Sequence, residues 1–441
     1  MCGITITHSQ EEAKLSLRAL KHRGDRNTYT KLGNLWYAHR RLPINGISKK
    51  YDQPYWFRNA PNWMVGEYYD YSREKYPNDL MALAHKINSG PLIPLGMFLF
   101  IQAHKNGFIA HQDFWNKKPF YYRSDLKAFA SEIKALTALA PVTLNKKAFI
   151  DYEKKGYSCD YTPYNEIKRI KNRILYYHDQ HQFPGSSVDF FLPPRNSFNS
   201  LNKILWHAIK IRSKADVPVA MLCSGGLDSS LIYFILRKQG QNPHVFHIEN
   251  NESQYLKYLN IPKDKLHIIK IDQGFDLKEI LYYNETPQDL GSMVPQYLLG
   301  KAIKESGLGI RVIITGDGAD ELFGGYKRCN PLADNRYSDL YPELKNYHIP
   351  RLDKLMMAHT LEVRSPYLDE KIFSWSSQKS WSEIVNKKPI KQLAKELGLA
   401  PEIINRRKMP LKFHQVKDNK LEWRKYIISE FKKSFYKGLE L

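Results

Sequence analysis

Between residues 35 and 113 the apolar positions come in short runs. LWYAHRRLPI (35–44), WMVGEYYDYS (63–72), MFLFIQAH (97–104) and GFIAHQD (107–113) mix aromatic and β-branched residues, with Pro, Asn and Gly between them. That rhythm predicts short strands joined by turns across the first 180 or so residues. A stretch holding Pro184, Gly185, Pro193 and Pro194 follows and is the best linker candidate, 183–198. Beyond it the period changes. Asn199 or Ser200 can cap a helix whose Leu201, Ile204, Leu205, Ala208 and Ile209 recur at helical spacing. Near-continuous apolar runs then alternate with helical stretches: VPVAMLC (217–223), HVFHI (244–248), LHIIKI (266–271) and RVIIT (311–315). Such runs predict parallel strands covered on both faces, an α/β arrangement distinct from the strand-rich first half. No internal repeat interrupts either half.

Composition narrows the class. A chain of 441 residues with 42% hydrophobic and 13% aromatic residues can bury two cores. It holds no apolar run of about 18 residues, so a membrane span is not expected. MCGITITHSQ lacks a basic region leading into an apolar core, so a secretory signal is not expected either. Cys2, Cys159, Cys223 and Cys329 are too few and too scattered for a disulfide framework or a zinc site, and they fit a reducing, cytoplasmic setting. The formal charge of +22 attracts anions. Residues 371–441 carry 17 Lys or Arg against 7 Asp or Glu, a surplus of ten. There Lys432 and Lys433 stand among Trp423, Tyr426, Phe431, Phe435 and Tyr436. This reads as the solvated face of a terminal amphipathic helix or, more sharply, as a nucleic-acid patch, although no nucleic-acid motif accompanies it.

Two loops carry chemistry. In VPVAMLCSGGLDSSLIYFIL, Gly225 and Gly226 sit where a buried strand gives way to an amphipathic helix. Without a Cβ they let the backbone approach an anion, and the helix start offers unpaired N–H groups. Ser224, Ser229 and Ser230 add hydroxyls, and Asp228 is a carboxylate suited to Mg²⁺ on phosphates. No Gly-Lys-Ser/Thr follows, so this is not a Walker loop. It resembles the pyrophosphate loop of enzymes that cleave ATP between the α and β phosphates. RVIITGDGADELFGGY (311–326) repeats the logic at another strand end and crowds Asp317, Asp320 and Glu321 together, an arrangement costly without a cation or solvent to share. Ligands of open parallel sheets bind at the carboxyl ends of strands, so the two loops are expected to face one site.

With MMAHTLEVRSPYLD (356–369) these loops resemble the synthetase half of glutamine-dependent asparagine synthetases. That family also opens on Cys-Gly-Ile after the initiator methionine. The likeness runs on through LKHRGD (20–25), AHRRLPI (38–44), GEYYDY (66–71), KPFYY (118–122), ASEIKAL (130–136) and KQLAKELGLAPEIINRRK (391–408). Family members are typically longer. The resemblance implies an αββα N-terminal-nucleophile glutaminase over 2–182, the linker 183–198, and a doubly wound, parallel-sheet ATP pyrophosphatase domain over 199–441 that ends in a helical, basic segment. It implies that Met1 is removed and that Cys2 attacks the glutamine amide, its own α-amine serving as base. Arg41, Leu42, Ile44, Gly66, Glu67 and Asp79 match glutamine-binding positions. Leu222, Ser224, Gly225, Gly226, Leu227, Asp228, Ser229, Ser230, Ile248, Thr315 and Gly316 match ATP contacts, and Asp228 and Asp320 match Mg²⁺ positions. Asp317 matches a base toward ammonium, and Lys391 a lysine that neutralises phosphate charge. The implied substrates are ATP, glutamine and aspartate, joined through an acyl-adenylate that ammonia reaches by an internal tunnel. A membrane and nucleic acid are not expected partners, and a homodimer is left open.

Departures qualify the likeness. The family's Asn-Gly-Glu reads Val65-Gly66-Glu67 here, which removes an oxyanion donor worth about 2.7–4 kcal/mol. Its Arg-Asp-x-x-Gly reads Gln112-Asp113-Phe114-Trp115-Asn116, and Pro43 replaces a serine. After HVFHI, where the family usually carries an acidic pair in a Ser-Asp-Glu-like context, the chain reads Glu249-Asn250-Asn251-Glu252. Three readings therefore stand: a glutamine-hydrolysing enzyme that makes asparagine; the same scaffold with a weakened glutaminase, using free ammonia or another carboxylate; and an adenylating protein that acts on nucleic acid through its basic end.

Overall fold

A computed structural model of the chain describes residues 2–69, 72, 74–89, 95–158, 160–179, 200–271, 274–330, 332–406 and 420–437. The expected linker at 183–198, Cys159 and the basic residues Arg407 and Lys408 lie outside the described residues.

The first eleven strands form two antiparallel sheets. They are β1 (Gly3–Thr7), β2 (Arg26–Leu32), β3 (Leu35–Arg41), β4 (Tyr55–Phe57), β5 (Ala60–Tyr68), β6 (Gly96–His104), β7 (Gly107–Gln112), β8 (Tyr121–Arg123), β9 (Ala128–Ala130), β10 (Ile167–Arg169) and β11 (Ile174–His178). One sheet runs β10-β8-β9-β1-β3-β2 and the other β11-β7-β6-β5-β4. Alternation along each strand sends one set of side chains between the sheets. Ile4, Ile6, Tyr37, Trp63, Val65, Leu99, Ile101, Phe108 and Phe129 form that inner core. Helices cover the outer faces. Gln10–Ala19 packs with Ile133–Thr137 on the first sheet, and Asp79–Ile87 lies on the second. The first half is thus an αββα sandwich, as the resemblance implies.

The remaining strands, β12 (Val219–Leu222), β13 (His244–Ile248), β14 (Leu266–Ile269), β15 (Val312–Ile314) and β16 (Glu362–Arg364), form one parallel sheet in the order β14-β13-β12-β15-β16. One face packs on helices Leu201–Arg212 and Leu227–Lys238, the other on Leu290–Glu305 and Ile349–Met357. The helix expected after Ser200 is Leu201–Arg212, and its Leu201, Ile204, Leu205, Ala208 and Ile209 are all buried. Chain order reverses between β12 and β15, and a doubly wound sheet opens a crevice at such a switch point.

The two halves share a core. Val312 and Met357 join the inter-sheet cluster that includes Cys2, and Phe114 and Trp115 join the cluster on the helical face of the parallel sheet. The C-terminal helix Lys420–Lys437 packs on Lys146–Lys155 and on Leu277–Asn284, burying Ile427 and Phe431. Arg424 pairs with Asp289 at 3.0 Å and donates to the Glu153 carbonyl at 3.1 Å. Lys425 and Lys433 point to solvent. The amphipathic-helix reading of this segment therefore fits its apolar face. Among the described residues no helix is long and apolar enough to cross a membrane.

Candidate active sites

Cys2 precedes β1, the strand between β3 and β9. Gly3 lies opposite Arg40 in the register, which sets Cys2 beside Arg41. Around the thiol, Arg41, Leu42, Ile44, Gly66, Glu67 and Asp79 line one pocket, together with Asn45, Tyr51, Gln53, Met64, Asn78 and Leu80. Every residue expected around glutamine is therefore brought together. The cavity is small, about 20 Å³, room for about one water molecule. Burial pushes the Cys2 thiol up, while the Leu42 backbone N–H and Arg41 pull it down.

Gly66 has no substitute. Its φ is +111°, and a Cβ there would meet the Met97 carbonyl oxygen at 1.9 Å. Val65 is buried between the sheets on the face that also carries Cys2, so the expected amide donor is replaced by an alkyl group. Glu67 and Asp79 are hydrogen-bonded and both buried. Burial lifts the Glu67 carboxyl well above the usual range and raises Asp79 too, so the pair favours holding a proton. Glu67 also faces Arg364 of β16 at 3.2 Å. The Arg41 guanidinium is engaged by the chain itself: Asp52 at 2.7 Å, the Ser48 carbonyl at 3.2 Å and the Asn45 carbonyl at 3.1 Å. It thereby ties down the 45–52 loop over the pocket. Asn116 takes φ +50°, a left-handed conformation that asparagine tolerates, where the family has glycine. Asp113 accepts backbone N–H groups from Phe98, Trp115 and Lys117 at 3.0–3.1 Å.

At the switch point a larger cavity of about 640 Å³ opens, within the range of small-molecule sites. Leu222, Ser224, Gly226, Leu227, Asp228, Ser229, Ile248, Thr315, Gly316, Asp317, Asp320 and Lys391 line it. Gly225 and Ser230 do not. Gly225, at φ +72°, shapes the turn, and Ser230 is fully buried beneath it. The serine-glycine turn is tied internally: Ser224 N donates to Ser229 Oγ at 3.2 Å, and Gly226 N to Ser224 Oγ at 3.2 Å. Gly226 then caps helix Leu227–Lys238, whose start aims N–H groups at the cavity. A Cβ on Gly316 would lie 3.1 Å from Ser229 N, so the two loops touch.

Of the three clustered carboxylates only Asp317 and Asp320 line the cavity. Glu321 is buried against Tyr326, with His348 Nε2 at 3.6 Å. Sequence reasoning missed Lys387. Its ammonium lies 2.6 Å from Asp320 and also contacts Asp228, joining both loops. Burial works against this charge, yet the two carboxylates hold Lys387 well above the ordinary lysine range. Asn386 and Lys387 both adopt left-handed conformations, φ +60° and +58°, which is backbone strain of the kind found at functional sites. Glu252 and Arg406, paired at 2.6 Å, form another part of the wall, and Ser292, Gln296 and Arg351 yet another.

No group of three or more metal-type ligands occurs among the described residues. Two carboxylates that already share a cation do fit Mg²⁺, which commonly takes one or two carboxylates and completes its shell with substrate phosphates.

The asparagine synthase family model matches residues 200–347 and 337–434. Over 426 residues the chain is 28% identical to a probable glutamine-hydrolysing asparagine synthetase of Acanthamoeba polyphaga mimivirus, covering 84% of this chain and 76% of that protein. It is 22% identical over 589 residues to glutamine-hydrolysing asparagine synthetase 1 of Bacillus subtilis, covering 99% of this chain and 91% of that protein. Against asparagine synthetase B of Escherichia coli it is 27% identical over 307 residues, covering 63% of this chain and 52% of that protein.

Proposed function

The chain belongs to the asparagine synthase family, and from that premise we propose that it is an ATP-dependent ligase that forms the side-chain amide of asparagine with nitrogen taken from glutamine. One observation carries the reading. A serine-glycine turn and an acidic turn touch at the switch point of a parallel sheet, with Lys387 joining Asp228 and Asp320. Phosphates need donors on one side and a cation on the other, and this crevice offers both.

In the proposed reaction the acceptor carboxylate displaces diphosphate from ATP, and ammonia then displaces AMP from the mixed anhydride. Ser224, Gly226 and Ser229 hold the departing diphosphate through backbone and hydroxyl donors. Leu222 and Ile248 flank the nucleotide, and Lys391 offsets charge that builds on the phosphate. Asp317 takes the proton from the attacking ammonium. Asp228 and Asp320 would hold Mg²⁺, which would supply positive charge to offset that of the leaving diphosphate. Lys387 contacts the same two carboxylates and offsets their charge. Residues 2–182 form the glutaminase domain and 199–441 the synthetase domain in this reading. Cys2 attacks the side-chain amide of glutamine and expels ammonia, and water hydrolyses the resulting thioester to glutamate. Glu67 and Asp79 receive the amine of the substrate, and Arg41 receives its carboxylate as the 45–52 loop lifts.

Val65 favours a second reading, a synthetase whose glutaminase is slow and which draws partly on free ammonia. The test is diphosphate release with aspartate and Mg²⁺, supplied in turn with glutamine and with ammonium. Release with both supports the first reading, release with ammonium alone supports the second, and release with neither contradicts the proposed ligase. Aspartate gives way to another acceptor acid if a panel of carboxylates outpaces it.

A further inference from the structure

We propose that Asp353, on helix Ile349–Met357 of the synthetase half, is a positioning residue for the Cys2 nucleophile and acts through Arg23. The inference rests on the reading of Cys2 as the glutaminase nucleophile.

Arg23 is fully buried, and all three of its guanidinium nitrogens are directed. Nε donates to the Cys2 carbonyl at 2.9 Å. Nη1 and Nη2 both reach Asp353 Oδ2 at 3.1 Å, and Nη1 also meets Glu132 Oε1 at 2.5 Å. The guanidinium is planar, so fixing its terminal nitrogens fixes where Nε points. With two carboxylates on the far edge, the near edge is left to hold the backbone of residue 2. The proposed base is the α-amine of that same residue, so the angle at which Cys2 is held sets both the thiol and the amine.

The two carboxylates are not equivalent. Glu132 belongs to the glutaminase half and is shared with His22 at 2.9 Å and Lys134 at 2.5 Å. Asp353 comes from the other half and is shared with Lys118 Nζ at 2.9 Å. It is buried, and although burial alone would raise its carboxyl, Lys118 and Arg23 hold it below the usual range. Buried ion pairs contribute little net stability, because desolvation offsets their attraction. What this one does supply is direction. The helix that carries Asp353 also sends Arg351, Leu352 and Met356 into the large cavity and Met357 into the core around Cys2. One short helix therefore touches both sites, and its carboxylate holds the arginine on which the nucleophile's carbonyl rests.

The experiment compares the full-length protein with Asp353→Asn, Asp353→Glu and Arg23→Lys. Three quantities are read: the rate of Cys2 alkylation by iodoacetamide against pH, followed on the N-terminal peptide by mass spectrometry; kcat and KM for glutamine hydrolysis; and ATP–diphosphate exchange. Asp353→Asn is expected to move the midpoint of the alkylation profile and to lower glutaminase kcat about tenfold, the order of one lost charge-assisted hydrogen bond. The KM for glutamine and the exchange rate should stay within about twofold. Asp353→Glu should recover part of the loss, and Arg23→Lys, which keeps the charge but loses the fork, should reproduce it. The inference is overturned if Asp353→Asn keeps the wild-type profile and kcat, or if exchange falls in parallel, which marks a fold-wide role. Should Asp353→Asn fail to fold, Arg23→Lys decides on the same readouts. If wild-type protein hydrolyses no glutamine, the glutaminase reading fails. The alkylation profiles still judge the positioning role.

Discussion

Glu370 gives the sharpest stability prediction. It opens helix Glu370–Ser377, is 2% exposed, and neither carboxyl oxygen has a hydrogen-bond partner among the described residues. Its nearest cation is Lys117 of the other half, 3.8 Å away and also spent on Asp113 at 3.7 Å and the Gly96 carbonyl at 3.0 Å. Burial pushes the Glu370 carboxyl up from 4.5 to about 7; Lys117 opposes that rise, and Asp369 and Asp113 add to it. A raised carboxylate means that the folded state binds the proton more tightly than the unfolded chain. The favourable contribution is therefore complete below about pH 4.5 and is lost as pH climbs to about 7. At 1.36 kcal/mol per unit, a rise of about 2.5 units corresponds to about 3 kcal/mol. Glutamine keeps the shape of the protonated acid and does not titrate. Glu370→Gln should match wild type near pH 4 and exceed it by up to about 3 kcal/mol at pH 8. Thermal melts at the two pH values read this directly, the variant melting several degrees higher at pH 8. A variant less stable than wild type at pH 8 would refute the reasoning, because it would mean the Lys117 ion pair outweighs the burial of Glu370.

Other perturbations probe the sites. Val65→Asn should raise kcat for glutamine hydrolysis by about 100-fold, roughly what one oxyanion donor contributes; an unchanged kcat would mean that another group already donates. Asp52→Asn should lower the KM for glutamine severalfold, since Asp52 and the substrate carboxylate compete for Arg41, and a raised KM would mean that Asp52 instead holds Arg41 in place. Lys387→Met leaves Asp228 and Asp320 facing each other without their shared cation. Its melting temperature without metal should fall, and Mg²⁺ alone should raise it by more than in wild type; equal Mg²⁺ responses would remove the shared-cation account.

What was legible in the sequence was local. The runs at 97–104, 107–113, 244–248 and 311–315 became β6, β7, β13 and β15 because a strand inside a sheet needs only its own alternation or its own apolar run to declare itself. The two loops were legible because whole motifs, Ser-Gly-Gly-x-Asp-Ser and Gly-Asp-Gly-Ala-Asp-Glu, stand at the ends of apolar runs, whereas glycine, serine or aspartate singly would mark only a turn or a helix cap. Strands of three residues, such as β4, β8 and β16, carry too few positions to show a period. Lys387 was hidden for a different reason. It stands beside Lys388 in a run that looks like surface, and only the paired left-handed residues Asn386 and Lys387 turn its ammonium into the crevice. Lys391, singled out by motif, lines the same crevice without that contact. Arg406 and Glu252 meet across 154 positions, and Arg23 and Asp353 across 330, distances over which charge pairing leaves no trace in a single sequence. Arg41 was assigned to glutamine by resemblance, but its engagement with Asp52 and with loop carbonyls depends on a turn geometry that the motif does not encode.

The central claim is that ATP is cleaved between its α and β phosphates over the turn that begins at Ser224, with charge balanced by the aspartates of both loops. Exchange of radiolabelled diphosphate into ATP, measured with Mg²⁺ and a panel of carboxylic acids that includes aspartate, tests it most directly. The account predicts exchange that requires an acceptor acid and Mg²⁺ and that disappears in Asp320→Ala while Cys2→Ala keeps it. Absence of exchange with every acid, or exchange that survives Asp320→Ala undiminished, would contradict it.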